Sequence, residues 1–123
     1  MALILIIEDE DVFRKMLERM LKQVGYDVLA ASNGNEGLKL YHQDQVDLVI
    51  TDIFMPEKEG IQTVMELKEI NPDVKIIAIS GGGSLERLEY LKSTIDFGVH
   101  KTFEKPFVTK EFLAAIAELL DAD

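Results

Sequence analysis

Five side chains in this sequence stand where they could act together. Glu8 and Asp9 directly follow the apolar run Leu3–Ile7, and Asp52 closes the run Leu48–Ile50 with Thr51. Ser80, ahead of Gly81-Gly82-Gly83, follows Val74–Ile79, and Lys105 stands just before Pro106-Phe107. Each therefore falls at the carboxyl end of a short segment that reads as a strand. Three carboxylates gathered at one edge repel one another and invite a hard cation with oxygen ligands; Mg²⁺ takes one or two carboxylates and keeps several waters. A carboxylate beside such a cation and a lysine can serve as a nucleophile and take a phosphoryl group as an aspartyl phosphate. The cation and Lys105 would neutralise the phosphoryl oxygens during transfer, and the Ser80 hydroxyl could bond a third oxygen.

Each residue also has a plainer role. Glu8 to Asp11 suit the start of a helix by charge and capping. Asp52 suits a turn, Ser80 a helix cap and Lys105 a solvated surface, while the three glycines suit a flexible turn. Joint placement at strand ends favours one site over separate structural roles. A dinucleotide or flavin phosphate at the first strand–helix turn is excluded, because Glu8-Asp9-Glu10-Asp11 would repel the anion. The absence of G-x-x-x-x-G-K-[ST] excludes a nucleotide-triphosphate loop.

The elements that must position these groups are legible as periodicity. Leu3–Ile7, Leu48–Thr51 and Val74–Ile79 are too short and too β-branched for helices and read as strands buried on both faces. Asp27–Ala31 and Val99–Phe103 are weaker strand candidates. Between them lie helical stripes. Phe13, Met16, Leu17, Met20, Leu21 and Val24 form the first, ended by Gly25, with Arg14, Lys15, Glu18, Arg19 and Lys22 facing outward. A shorter one spans about 35–42. Ile61, Val64, Met65 and Leu67 precede Asn71-Pro72, and Leu85, Leu88, Leu91 and Ile95 follow. Phe112 to Leu120 close the series, with Thr109 as N-cap. Strand and helix alternate throughout, which predicts one α/β domain over residues 1–123 with a parallel sheet covered on both sides. In such a sheet, ligands bind outside the carboxyl ends of the strands, where the strand order reverses. No segment reads as a separate output domain.

Composition narrows the partners. The 123 residues carry 13 Lys and Arg against 23 Asp and Glu, a net charge of −10. That balance argues against nucleic-acid phosphates and anionic membranes as direct partners. Cysteine is absent, which removes disulfides and thiolate chemistry and suits a reducing compartment. The start lacks the basic region of a signal peptide, and no run approaches the roughly 18 apolar residues of a membrane span. The expected location is the cytoplasm.

Four motifs in order, Ile-Ile-Glu8-Asp9, Asp52-Ile-Phe-Met-Pro56 with Gly60, Ile79-Ser80-Gly81 and Glu-Lys105-Pro106-Phe107, make the chain resemble the receiver domain of two-component response regulators from about residue 3 to 120. The resemblance implies a flavodoxin-like (βα)₅ fold with a doubly wound five-stranded sheet in the order 2-1-3-4-5. It implies phosphoryl transfer to Asp52 from a sensor histidine kinase or phosphotransfer protein, and a conformational signal to an effector protein or to an output domain of a longer chain. It makes the protein a phosphoacceptor that assists its own phosphorylation and dephosphorylation, not a dedicated enzyme. Mg²⁺ or Mn²⁺ would be held by Asp9, Asp52 and the Phe54 carbonyl, with Glu8 reaching it mostly through water. Ser80 would be the switch hydroxyl and Lys105 the phosphoryl-binding lysine, its bond to Pro106 often cis. Two departures stand out. The acidic pair is Glu-Asp where Asp-Asp is commoner. The position of the usual aromatic switch holds Thr102, with Phe103 beside it as a partial substitute, so the Ser80–Ser84 loop, loosened by Gly81–Gly83, and the start of the fourth helix are expected to carry the change. An aspartyl phosphatase would want a second acid where Phe54 stands. An interaction module that keeps only the fold would have no need of Asp52 or Lys105.

Overall fold

Successive strand residues point to opposite faces, and here the apolar ones sort cleanly into two layers. The computed structural model describes residues 2–55, 60–81 and 84–121; Pro56, Gly82 and Gly83, named above, lie outside them. The strands are β1 (Leu3–Ile7), β2 (Asp27–Ala31), β3 (Leu48–Asp52), β4 (Ile76–Gly81) and β5 (Lys101–Lys105). All pair in parallel in the order β2-β1-β3-β4-β5. The helices are α1 (Asp11–Gln23), α2 (Gly34–Gln43), α3 (Gly60–Ile70), α4 (Leu85–Ser93) and α5 (Thr109–Asp121). Ile4, Ile6, Leu48, Ile50, Ile77 and Ile79 face Leu17 and Leu21 of α1 and Phe112 and Ile116 of α5. Leu5, Ile7, Val49 and Ala78 face Tyr41 of α2, Val64 and Leu67 of α3 and Leu91 of α4. This is the parallel sheet covered on both sides that the alternation implied, in the doubly wound, flavodoxin-like order that the resemblance implied. Among the described residues no helix is long and apolar enough to cross a membrane.

The ends of the elements have local causes. Gly25 ends α1 in the left-handed region at φ 105°, which costs glycine no Cβ clash. The Asn33 side chain caps α2 by accepting the Glu36 N–H at 2.9 Å. Several boundaries differ from the sequence expectation. Val74 belongs to a turn, its N–H bonded to the Asn71 carbonyl at 3.0 Å, so β4 starts at Ile76 and runs on through Ser80 and Gly81. Val99 is tied back to the Thr94 carbonyl, and pairing with β4 begins at Ile77 opposite Lys101, so β5 lies two residues later than its apolar run. The stripe Leu85 to Ile95 is broken: α4 ends at Ser93, and Ile95 sits exposed in a 3₁₀ turn, Thr94–Phe97, closed by Gly98 at φ 99°. Met16 and Val24 of the first stripe, Met65 of the third and Leu85 of the fourth are also exposed. Thr109 is the first residue of α5, not its cap; Val108 before it accepts the Phe112 N–H.

Reversal of winding direction falls between β1 and β3. The chain leaves β1 through α1 on one face and returns from β2 through α2 on the other, so the carboxyl ends of β1 and β3 are flanked by a crevice.

Candidate functional site

Glu8 is the first residue beyond β1 and is fully buried. Its N–H bonds to the Ala31 carbonyl at 3.0 Å, extending the β1–β2 ladder by one residue. Its carboxylate is pinned at both oxygens: Oε2 accepts the Glu10 N–H at 3.1 Å and Oε1 meets the Lys105 ammonium at 2.5 Å. Asp9, next in the chain, turns outward and is exposed. Asp52 closes β3 opposite Ile79 of β4 and is 4% exposed. Its Oδ1 accepts the Phe54 N–H at 2.9 Å, and its Oδ2 accepts from Lys105 Nζ at 2.9 Å. Lys105, the last residue of β5, thus joins the ends of β1 and β3 from beyond β4, and its ammonium also lies 4.4 Å from the centre of the Phe13 ring. The Lys105–Pro106 peptide is cis.

One ammonium does not neutralise this acidic group. Glu8, Asp9 and Asp52 can each bring a carboxylate oxygen within 4.8 Å of the others. Burial, aided by the nearby Asp52 charge, raises the Glu8 carboxyl from its ordinary 4.5 to about 7, although Lys105 pulls the other way. Burial pulls the Lys105 ammonium down, but its bonds to Glu8 and Asp52 outweigh that and leave it above its ordinary value. An all-oxygen, net-negative donor set next to a cavity of about 200 Å³ fits a hard divalent cation. Phe54 and Gly81 border the same cavity. A larger hollow, about 530 Å³ between Asp47, Asn71 and Lys75, gathers none of these groups.

Of the residues singled out from sequence, Glu8, Asp9, Asp52, Phe54 and Lys105 come together. Ser80 is adjacent, one residue beyond the partner of Asp52, but its buried hydroxyl donates to the Gly81 carbonyl at 3.2 Å. Phe103 does not substitute for a ring at position 102. It pairs with Ile79 on the α1–α5 side and packs at 5.1 Å against Phe112 and 5.8 Å against Phe107. Three contributors were missed. Arg14 was read as outward-facing, yet it donates to the Glu8 carbonyl at 2.9 Å and pairs with Asp11 at 2.5 Å; the Asp11–Arg14 spacing was the available signal. Phe13 was read as core alone. Arg87 of α4 borders the cavity and gave no sequence signal.

Comparison with known proteins agrees with this geometry. A family model described as the response regulator receiver domain matches residues 4–117. A probable transcriptional regulator, ycf27, of Guillardia theta is 37% identical over 95% of this chain, which spans 44% of that protein's length. Among solved structures, a response regulator receiver domain protein from Clostridium thermocellum superposes with a TM-score of 0.90 at 29% identity, covering 98% of this chain and 95% of the other. The response regulator TrrA from Thermotoga maritima, solved in complex with Mg²⁺-BeF, gives 0.85 at 30% identity, covering 97% and 99%. With the acidic crevice at the ends of β1 and β3 and a family match over nearly its whole length, the chain belongs to the response regulator receiver domains of two-component systems.

Proposed function

We propose that Asp52 accepts a phosphoryl group from a phosphohistidine of a sensor histidine kinase or phosphotransfer protein, and that the chain then signals by changing conformation. The observation that carries this reading is the state of the Asp52 carboxylate. It is buried yet borders the cavity, with one oxygen held by the Phe54 N–H and the other by Lys105. In the transfer, a carboxylate oxygen of Asp52 attacks phosphorus, the P–N bond of the donor breaks, and the leaving imidazole keeps the electron pair and takes a proton from solvent. Lys105 holds the attacking group in place and meets the incoming oxygens with positive charge. Ser80 turns from the Gly81 carbonyl to the phosphoryl group. Mg²⁺ or Mn²⁺ bound by Glu8, Asp9, Asp52 and the Phe54 carbonyl would supply further charge neutralisation; the donor set described above and the Mg²⁺-BeF complex of the Thermotoga relative support this. Hydrolysis at the same site would return Asp52 to its free form.

Residues 1–123 act as one receiver unit in the cytoplasm, with output through a separate effector protein or an output domain of a longer chain. The test is incubation with acetyl phosphate and Mg²⁺ followed by intact mass measurement. One phosphoryl group should appear on the wild type, none without the cation and none on Asp52→Asn. A phosphoryl group that persists on Asp52→Asn overturns the assignment.

A further inference from the structure

A second cation stands at the rim of the cavity, and the transfer described above does not use it. Arg87 lies in the first turn of α4, its N–H donated to the Ser84 hydroxyl at 3.1 Å. Its exposed side chain leans across the crevice, with the guanidinium carbon 4.6 Å from the centre of the Phe54 ring. Phe54 also packs against Tyr90 of α4 at 5.3 Å, and its N–H holds Asp52 Oδ1. Asp52, Phe54 and the pair Arg87 and Tyr90 thus form a continuous bridge from the carboxylate to α4. Arg87 borders both the cavity at Asp52 and the adjoining hollow of about 320 Å³. Among the described residues its guanidinium makes no ion pair.

We propose that Arg87 is a second cationic ligand of the phosphoryl group, held over the Phe54 ring until Asp52 is modified and then drawn onto the phosphoryl oxygens, bringing the start of α4 with it. This rests on the reading of Asp52 as the phosphoacceptor. Three observations converge. Lys105 is already shared between Glu8 and Asp52, so added negative charge at Asp52 arrives where the bonded ammonium is committed. An exposed guanidinium over a half-buried ring is weakly held, whereas a phosphoryl group offers oxygens spaced for its planar fork. Finally, position 102 holds threonine and Phe103 faces the α1–α5 layer, so among the described aromatic contacts the link from this site to α4 runs through Phe54 and Tyr90.

The experiment follows the Arg87 Nε–H signal by NMR in the full chain, with Mg²⁺ and then beryllofluoride as the phosphoryl mimic. The signal should shift and its exchange with water should slow when the mimic binds. Arg87→Ala should raise the beryllofluoride concentration for half saturation about tenfold or more, the worth of one charge-assisted hydrogen bond, and Arg87→Lys should recover part of that loss. An Arg87 signal that stays unmoved while the Gly81 and Lys105 signals respond overturns the proposal and leaves the Asp52 assignment standing. If no signal responds and acetyl phosphate leaves no phosphoryl group on the wild type, the Asp52 reading fails and the proposal falls with it.

Discussion

Lys105 is a single ammonium serving two carboxylates, and much of the site's behaviour follows from that ratio. Lys105→Ala would leave Glu8 and Asp52 facing each other without a counter-charge, and removing one partner of a buried pair costs more than the pair itself contributes. The variant should lose about 3 kcal/mol of stability by urea denaturation at neutral pH; a loss within error of zero would show that the two acids are screened by solvent. The Glu8 carboxyl gives the pH dependence its sign. Its value is about 7 in the folded chain against 4.5 ordinarily, so folding takes up a proton between those limits. The cost of ionised Glu8 is fully present above pH 7 and is relieved as pH falls towards 4.5, so the metal-free protein gains stability from this residue on mild acidification. Glu8→Gln has no proton to gain. Denaturation curves in EDTA at pH 5 and pH 8 should show a gain on acidification that is larger for the wild type than for this variant. A reversed difference would mean that Lys105, not burial, governs Glu8.

The junction between β3 and α3 shows how an element serves a side chain at its end. Gly60 opens α3, its N–H bonded to the Ile53 carbonyl at 2.9 Å, and a Cβ there would run into the Asp52 carbonyl oxygen and the Ile53 Cα. Backbone cannot step aside as a side chain can. Gly60→Ala should therefore cost about 1–3 kcal/mol by overpacking and, by displacing Asp52, slow phosphoryl uptake from acetyl phosphate; full activity with lowered stability would separate the helix start from the reacting carboxylate. Legibility from sequence divides along the same line. Glu8, Asp52 and Lys105 could be found because each ends or follows a strand, and in a parallel sheet strand ends share an edge. β1 is legible to the residue because its outline follows from a short β-branched run, and β2, a weaker candidate with Val28 alone β-branched, pairs with it over its full expected span. β5 was displaced by two residues because its limits are set by bonds to β4, which composition does not record. Phe13 and Arg87 are not legible as site residues because each reaches the site from a helix, across a contact whose existence depends on how that helix lies on the sheet, and Arg14 offers only its spacing to Asp11.

At the scale of the molecule, a charge of −10 and an acidic crevice make divalent cations a source of stability. A ligand that binds the folded chain alone at a hundred times its dissociation constant adds about 2.7 kcal/mol, so saturating Mg²⁺ should raise the melting temperature by roughly 10 °C in a chain of this size. Asp9→Ala should abolish that rise while the metal-free melting temperature stays close to the wild type, since Asp9 is exposed and its side chain packs against no core. An undiminished rise in this variant would move the cation elsewhere. The helices are also unequally seated. α5 buries Phe112, Ala115, Ile116 and Leu119, whereas α4 buries Leu91 alone and leaves Leu85 72% exposed. A helix held by one buried side chain has rival arrangements close to it in free energy, and turning a 1:99 ratio of two such states into 99:1 takes a differential affinity of about 5.5 kcal/mol. A few charge-assisted hydrogen bonds to one phosphoryl group supply that order of energy. The shallow seating of α4 therefore sets the exchange rate between chemistry and signal: one covalent event suffices to invert a population, and a deeper seat would demand more than one anion can give.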